Sequence, residues 1–408
     1  MHLHRIGNRL LTLVPSKAAR VGATDGGARS PAPAERRDFR IDFFRGLALI
    51  MIFIDHSPGN GLSNLTLRRM GFSDAAEIFV LLSGISAAMA YRGTFANAGW
   101  LVGVLRIAGR CGRIYVAHLM TLLAVAVIAM VMLDELGDPE FLDRLNLAPL
   151  FSETEKALVA ALTLRYLPHY LDILPLYICL LALVPFVLGA AQRHPLRLLA
   201  ASVAVYAIAR MEGWNLPRYA PGEVWYFNPF GWQLLFVIGL VLGSLSPGKR
   251  VFLERRPAVV RAALAFIAFA FVAAAPWRVL PGLEDLSLLP ASWHPDPSKT
   301  DLSPWRLVNV LAQACVAAYF IPRSSPMSHT WPVQQVRRCG AHALEIYCLG
   351  TVLSLLAFCA FTVVGTDIGP QIAINAAGVA VMLAAAALIA WYRSKPWQLR
   401  SRPAAAPS

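Results

Sequence analysis

The chain has 408 residues, of which 57% are hydrophobic and only 15% are charged, and its mean hydropathy is +0.54. About a quarter of the residues of a soluble protein are charged, so this composition excludes an ordinary soluble domain. The net charge of +13 would suit nucleic-acid binding. The Lys and Arg residues, however, cluster between apolar runs, which is the pattern of cytoplasmic loops. The charge therefore indicates membrane topology, and no nucleic-acid partner is expected.

In chain order, the first predicted element is a basic tail, residues 1–38, which is rich in Arg, Ala, Gly and Pro without a sustained period and is predicted to be disordered. Residues 39–392 are predicted to form one membrane domain, and 393–408 a second cytoplasmic tail. Apolar runs in the domain have the roughly 20 residues that a helix needs to cross hydrocarbon. Ten helices are predicted, near 39–57, 73–91, 112–133, 170–191, 196–211, 228–246, 258–278, 304–322, 340–363 and 370–392.

The basic clusters share one side of the membrane when ten helices are threaded between them, and the positive-inside rule makes that side cytoplasmic. On the opposite side, the segment 134–155 has Arg144 as its single basic residue among several acidic ones. The KALVAALTLRYL sequence that follows is predicted to form a helix on the membrane surface. The predicted fold is an all-α, polytopic integral membrane bundle with both termini in the cytoplasm.

The six cysteines lie in or beside predicted helices and lack the spacing of metal ligands. We interpret them as small apolar packing residues. Neither a disulfide framework nor a metal site is indicated.

Ionisable side chains in membrane helices are costly unless they are paired or face a cavity, which makes them candidates for function. A histidine near a carboxylate can serve as general base toward a sugar hydroxyl, because the imidazole accepts the proton and the carboxylate orients it. The alternative is that the carboxylates cap helix starts, which is the preferred interpretation of Glu77. The candidates at the outer helix ends are Asp55, His56, Asp74, His169 and Asp172.

A second group, mostly arginines, gathers at the inner helix ends. Arg45 lies deepest, eleven positions before His56, which is about 16 Å along the helix axis and close to three turns. Guanidinium groups bind phosphate bidentately, so this group suits a phosphorylated donor. The alternatives are that the arginines anchor the topology, that Arg45 snorkels to the phosphates and that His56 marks the interface. The members of the group are Arg40, Arg45, Arg106, Arg110, Arg113 and His342.

Aromatic side chains crowd the predicted outer loops, where they could stack on sugar rings or form the usual interface belt. They are Trp214, Trp225, Tyr226, Phe227, Trp232, Trp293 and Trp305. Polar residues that could bind the acceptor in the same region are Asn228 and Gln233, with Arg306, Asn309 and Gln313 on the eighth predicted helix; Arg306 is the candidate for a dicarboxylic acyl group.

Five segments resemble, in order, the OpgC family of membrane acyltransferases, over most of 38–363. They are FRIDFFRGLALIMIFIDH, GFSDAAEIFVLLSGISAA, LDILPLYICLL, FNPFGWQLLFVIGL and CGAHALEIYCLG. The resemblance implies a bacterial inner-membrane enzyme that transfers succinyl groups from a cytoplasmic acyl-CoA to osmoregulated periplasmic glucans. The arginine and histidine pattern of the wider superfamily is matched by Arg45 and His56, which implies that His56 is the base and Arg45 a donor-side residue. Asp55 and the AHALEIYC motif depart from the family pattern and leave donor and acceptor identity open.

We therefore expect an O-acyltransferase in which a passage joins the Arg45 side to His56, with Asp74 or Asp172 supporting the imidazolium. Direct attack and a covalent acyl-histidine both remain open. The donor is succinyl-CoA or acetyl-CoA. The alternatives are O-acetylation of another envelope polysaccharide or glycolipid, and a solute transporter or exporter. The donor-binding candidates are Arg45, Arg40, Arg110, Arg113 and His342, and the acceptor or acyl-binding candidates are His169, Asn228, Trp232, Gln233 and Arg306.

Overall fold

The structure is a computed structural model that describes residues 38–136, 140–246, 248–249, 256–290 and 298–399. Within these ranges the chain is helical, and its β-structure is limited to one isolated bridge between Pro217 and Val224. The basic tail predicted for 1–38 lies outside the described residues apart from Asp38. The C-terminal tail is described only as far as residue 399.

All ten predicted helices have a counterpart in the structure. Two of them, 73–91 and 112–133, belong to one long helix, and several short helices lie between the longer ones. In chain order the helices are α1 Phe39–Asp55, α2 Ala75–Leu136, α3 Glu140–Arg144, α4 Ala148–Ser152, α5 Thr154–Leu162, α6 Ile173–Arg193, α7 Pro195–Glu212, α8 Pro229–Ser244, α9 Pro257–Ala274, α10 Pro304–Phe320, α11 Trp331–Ala341, α12 Ala343–Val364, α13 Ile368–Arg393 and α14 Pro396–Leu399.

Helix α2 reverses its direction at Gly99. This residue has φ 82° and ψ 174°, a conformation open to glycine because it lacks a Cβ. Beyond the reversal, the Arg106 guanidinium donates to the Ala90 carbonyl at 3.4 Å and to the Thr94 hydroxyl. Along a continuous helix, sixteen residues would span about 24 Å. Residues 75–98 and 100–136 are therefore two arms of a helical hairpin.

Five of the described helices are long and apolar enough to cross a membrane by length and composition, namely α2, α6, α9, α12 and α13. Helix α2 counts once here although it has two arms, and α8 is apolar but shorter. The helices confirm an all-α protein suited to a lipid bilayer. The count of ten spans and the cytoplasmic termini stay predictions.

Helix α1 lies in the main apolar core. At several helix crossings, glycine residues allow the two backbones to approach very closely. A Cβ on Gly340 of α11 would lie 1.8 Å from the Asp42 carbonyl oxygen of α1, and one on Gly46 would lie 1.9 Å from that of Val336. At Gly84, where α2 meets α8, a Cβ would lie 2.2 Å from a backbone oxygen. Only glycine permits such close approach of two helix backbones.

The outer segment, residues 140–172, packs as a unit on the second arm of α2 and on α12 through a separate apolar cluster. It contains α5, so a helix forms in the region where the sequence predicts one. Three of its residues are not glycine yet have positive φ: Asn146 at 54°, Leu164 at 57° and Tyr170 at 70°. Such conformations are uncommon and cost free energy, and they collect beside functional sites.

Candidate functional site

His56 follows the last residue of α1, and its backbone N–H bonds the Ile52 carbonyl at 3.0 Å. The imidazole lies against the Tyr170 ring, with 4.5 Å between the ring centroids. Its Nδ1 is buried and has no hydrogen-bond partner among the residues that the structure describes. Buried polar atoms nearly always have a partner, so this nitrogen is a candidate to receive a substrate proton.

The imidazole faces a small cavity of about 20 Å³, which His169, Tyr170, Thr351 and Ser354 also line. This volume holds roughly one water molecule. A sugar ring does not fit in a cavity of this size, so an acceptor in this cavity requires its lining residues to move. Tyr170, whose backbone is left-handed, lies against the imidazole and lines the same cavity.

Beside His56 lies the four-charge cluster, formed by Asp74, Glu77, Lys299 and Arg306. Asp74 Oδ2 accepts from Lys299 Nζ at 2.7 Å and from Arg306 at 2.9 Å, and Glu77 Oε1 accepts from Arg306 Nε at 2.6 Å. Glu77 also accepts from the Asp74 backbone N–H at 2.8 Å, while Asp74 Oδ1 accepts from that of Ala76 at 2.9 Å. These reciprocal bonds form a capping box at the start of α2, which confirms the capping role predicted for Glu77.

The pKa values of Asp74 and Lys299 are both shifted so that the charged form of each group is favoured. Burial would raise the pKa of Asp74, but Lys299 and Arg306 bring it well below its ordinary value. Burial would lower the pKa of Lys299, but Asp74 and Glu77 bring it above its ordinary value. Both groups are therefore ionised, and their charges act on the His56 imidazole and on Asp55. Sequence reasoning missed Lys299; the available signal was a basic residue in a predicted outer loop, against the positive-inside trend.

The other two carboxylates predicted near His56 have separate surroundings. Asp55 Oδ1 accepts from the Thr66 hydroxyl at 2.6 Å. Asp172 is buried, does not cap α6 with its side chain, and its Oδ1 has no partner within the described part of the chain. Burial raises the pKa of Asp172 to about 7. No direct hydrogen bond joins His56 to Asp55, Asp74 or Asp172 in the described ranges, so their support of the imidazole stays a prediction.

On the predicted inner side, Arg45 is buried against the first arm of α2. Its guanidinium donates to the Leu82 carbonyl at 3.0 Å and to the Ser86 hydroxyl, with Asp42 3.9 Å away. Leu49, one turn further along α1 toward His56, is only 1% exposed. Leu49 therefore lies packed on the stretch of α1 that the expected passage between Arg45 and His56 would follow, and the passage itself stays a prediction.

The other predicted donor-side residues lie apart. Arg40 is held by Asp38 and by the Ala318 and Ile321 carbonyls, each at 3.1 Å, and it lines a cavity of about 730 Å³ between α1, α2, α9 and α10. His342 ends α11 with its ring 3.2 Å from Arg393. Arg110 is half-buried and Arg113 exposed on the second arm of α2. Arg45, Arg110, Arg113 and His342 do not line the large cavity.

Most of the predicted acceptor-side residues bond neighbouring helices and loops and do not line the His56 cavity. Asn228 caps α8 and donates to the Trp214 carbonyl and to Asp301. Gln233 bonds Ser202 of α7 through both ends of its amide. Trp232 is completely buried and donates to the Lys299 carbonyl at 3.1 Å, so its ring fixes the Lys299 loop and cannot stack on a sugar.

Arg306 is bound to the two cluster carboxylates, and His169 donates through its Nδ1–H to the Arg144 carbonyl, 3.0 Å away. Of the outer aromatic side chains, Trp214, Tyr226 and Trp305 are exposed, whereas Trp225 and Phe227 are buried. Trp293 lies outside the described residues.

A family model described as OpgC protein matches residues 37–394, which contain every site residue discussed above. No curated protein and no solved structure matches the chain. The match confirms the resemblance carried by the sequence motifs, and it indicates a membrane protein with acyltransferase-like function. The chain belongs to the OpgC protein family.

Proposed function

We propose that this protein is an O-acyltransferase of the bacterial inner membrane, which moves a succinyl group from a cytoplasmic acyl-CoA to hydroxyls of a periplasmic glucan. The observation that carries the proposal is the His56 imidazole, with its buried, unpartnered Nδ1 on a cavity beside fixed charges. A neutral imidazole with a free nitrogen is what abstraction of a hydroxyl proton requires. The family match supports the acyl-transfer class.

In the proposed reaction the imidazole takes the proton of the glucan hydroxyl as its oxygen attacks the thioester carbonyl. The tetrahedral intermediate collapses, the carbon–sulfur bond breaks, and the CoA thiolate takes the proton back from the imidazolium. Lys299 provides positive charge near the developing oxyanion, a form of stabilisation that is strong where water is excluded. Asp74 offsets that charge and stabilises the imidazolium.

The buried Leu49 between Arg45 and His56 adds a requirement to this proposal. The donor thioester reaches His56 only if α1 and the first arm of α2 separate around Leu49. Arg45 bridges these two elements, which places it where a donor phosphate would compete with Leu82 and Ser86 for the guanidinium. Donor binding and opening of the bundle would then be one event.

The test is an assay of the purified, reconstituted protein with succinyl-CoA and periplasmic glucan, measuring free CoA thiol and the mass of the glucan. We expect thiol release and a succinyl mass increment, and His56→Gln should reduce both at least 100-fold. His194→Gln is the matched control, since His194 is an exposed residue at the end of α6. Full activity of His56→Gln would disprove the role of the imidazole. In parallel assays, transfer from acetyl-CoA but not from succinyl-CoA would show that the donor is acetyl-CoA.

A further inference from the structure

The cavity of about 730 Å³ is far larger than the one at His56, and neither His56 nor Arg45 lines it. It runs along one side of α1, from Arg40 to Met51, about 16 Å at 1.5 Å per residue, and continues to Leu65 beyond the end of the helix. Its size is that of a cavity for a whole ligand. It is an elongated cleft between α1, α2, α9 and α10, and we call it the α1–α10 cleft.

Charge in the α1–α10 cleft is confined to one end. Arg40, Arg256 and Arg323 line it together with Asp38, which gives three positive charges and one negative. Asp38 bonds both Arg40, at 2.8 Å, and Arg323, at 3.4 Å. Asp38 is the one carboxylate among the described residues that line the cleft, so the lining at this end has more positive than negative groups. A guanidinium has five N–H donors in a planar fork, so the arginines can still bind a phosphate.

The rest of the lining is hydrocarbon. Leu47 and Met51 of α1, Ile78 and Leu81 of α2 and Val310 of α10 are typical of it, and Gln313 is the exception among the described lining residues. The pantetheine arm of CoA has two amides, whose burial without hydrogen bonds is unfavourable. A plain acyl chain has no such groups. The interior of the cleft therefore suits hydrocarbon better than pantetheine.

We propose that the α1–α10 cleft binds one anionic phospholipid of the inner leaflet, with an acyl chain along Leu47 and Met51 and the phosphate at Arg40, Arg256 and Arg323. The positive-inside rule assigns the arginine end to the cytoplasmic face, the depth at which such a phosphate lies. The lipid would hold α9 and α10 beside α1, and with them Lys299 and Arg306. This site is separate from the one proposed for acyl transfer.

The test is native mass spectrometry of the full chain, purified in detergent and supplied with phosphatidylglycerol or phosphatidylcholine. We expect one tightly held lipid and a preference for phosphatidylglycerol. Ala314→Trp, which fills the cleft, should reduce occupancy at least fivefold. Arg256→Gln combined with Arg323→Gln should keep a bound lipid and remove the preference. Ala376→Trp on the exposed face of α13 and Arg197→Gln on α7 are the matched controls.

A second measurement covers the case in which Ala314→Trp fails to fold. A phosphatidylglycerol with a photoreactive acyl terminus should cross-link the wild-type protein at peptides that contain Met51 or Val310. Cross-links confined to exposed faces such as that of α13 would overturn the proposal. It is equally overturned if occupancy is unchanged in Ala314→Trp, or if succinyl-CoA displaces the lipid stoichiometrically, which would make the cleft the donor site. Transferase activity is not a readout, so failure here is distinct from failure of the acyl-transfer proposal.

Discussion

At the scale of single residues, the four-charge cluster contributes both to the stability of the protein and to the charge beside His56. Glu77 is completely buried and is balanced by Arg306, which it bonds at 2.6 Å. Removing one partner of a buried ion pair leaves an uncompensated charge, whereas removing both can be nearly neutral. The cluster therefore behaves as a unit in which substitutions are not additive.

Arg306→Gln should destabilise the protein by about 3 kcal/mol, because it leaves Glu77 and Asp74 with Lys299 alone. The double variant Glu77→Gln and Arg306→Gln should recover more than half of that loss. Unfolding in detergent, followed by tryptophan fluorescence, measures both. Equal losses in the single and double variants would show that the pair does not act as a unit.

The buried carboxyl group of Asp172 predicts how the stability of the protein depends on pH. Burial raises its pKa from 3.8 to about 7 in the folded protein. Between pH 4 and pH 7 the folded chain retains a proton that the unfolded chain has lost, so the contribution of this group to stability falls as pH rises through that window. Asp172→Asn removes the effect, since its amide stays neutral.

The variant should therefore gain about 1 to 3 kcal/mol on the wild type between pH 5 and pH 8, as each pKa unit corresponds to about 1.4 kcal/mol. Melting temperatures of both proteins at the two pH values provide the measurement. Asp143→Asn, in the same outer segment, is the control and should follow the wild type. Parallel pH dependences of wild type and Asp172→Asn would show that Asp172 stays ionised.

At the scale of elements, the crossing of α1 and α11 depends on glycine. Gly340→Ala would place a Cβ 1.8 Å from a backbone oxygen, so the two helices must separate. The substitution should destabilise the protein by at least about 2 kcal/mol, as overpacking usually costs 1 to 3 kcal/mol and backbone cannot move as a side chain does. Gly189→Ala in α6, where a Cβ meets no atom within 4 Å, should be neutral or stabilising in the same unfolding assay.

Helix existence could be predicted from apolar run length because hydrocarbon thickness fixes the length of a span. Two elements escaped this reasoning, each for its own reason. The two arms of the hairpin at Gly99 join without a loop. Residues 92–111 belong to the helical arms, but their Gly, Asn and Arg residues are typical of a loop sequence. Helix α11 has 11 residues and is too short and too polar to read as a span. Its position across α1 follows from Gly46 and Gly340 and not from its hydropathy.

At the scale of the whole molecule, contacts between distant segments limited the prediction of the site. The polar residues at the outer helix ends could be found one by one, since charge is rare in membrane segments. The pairing of Asp74 with Lys299, 225 residues later, left no local signal. Packing also decides whether a passage is open, and the burial of Leu49 depends on several helices at once.

The same long-range pairs constrain the topology. Asp74 precedes α2 and Lys299 precedes α10, and their side chains lie 2.7 Å apart, so the chain between them crosses the bilayer an even number of times. In the ten-span prediction the two arms of α2, with α6, α7, α8 and α9, provide six crossings. That count places Trp214, between α7 and α8, on the same side as Lys299. The Asn228 amide agrees with this, because it donates to both the Trp214 carbonyl and Asp301, two residues after Lys299.

Cysteine labelling tests this prediction. In a chain whose six native cysteines are replaced, Trp214→Cys should react with a membrane-impermeant maleimide in intact spheroplasts, because Trp214 is exposed and follows the outer end of α7. Arg197→Cys, at the opposite end of the same helix, should react only after permeabilisation. Labelling of Trp214→Cys only after permeabilisation would contradict the ten-span prediction. Because Trp214 lies beside Asp301, it would also contradict the outer position of Lys299 and His56.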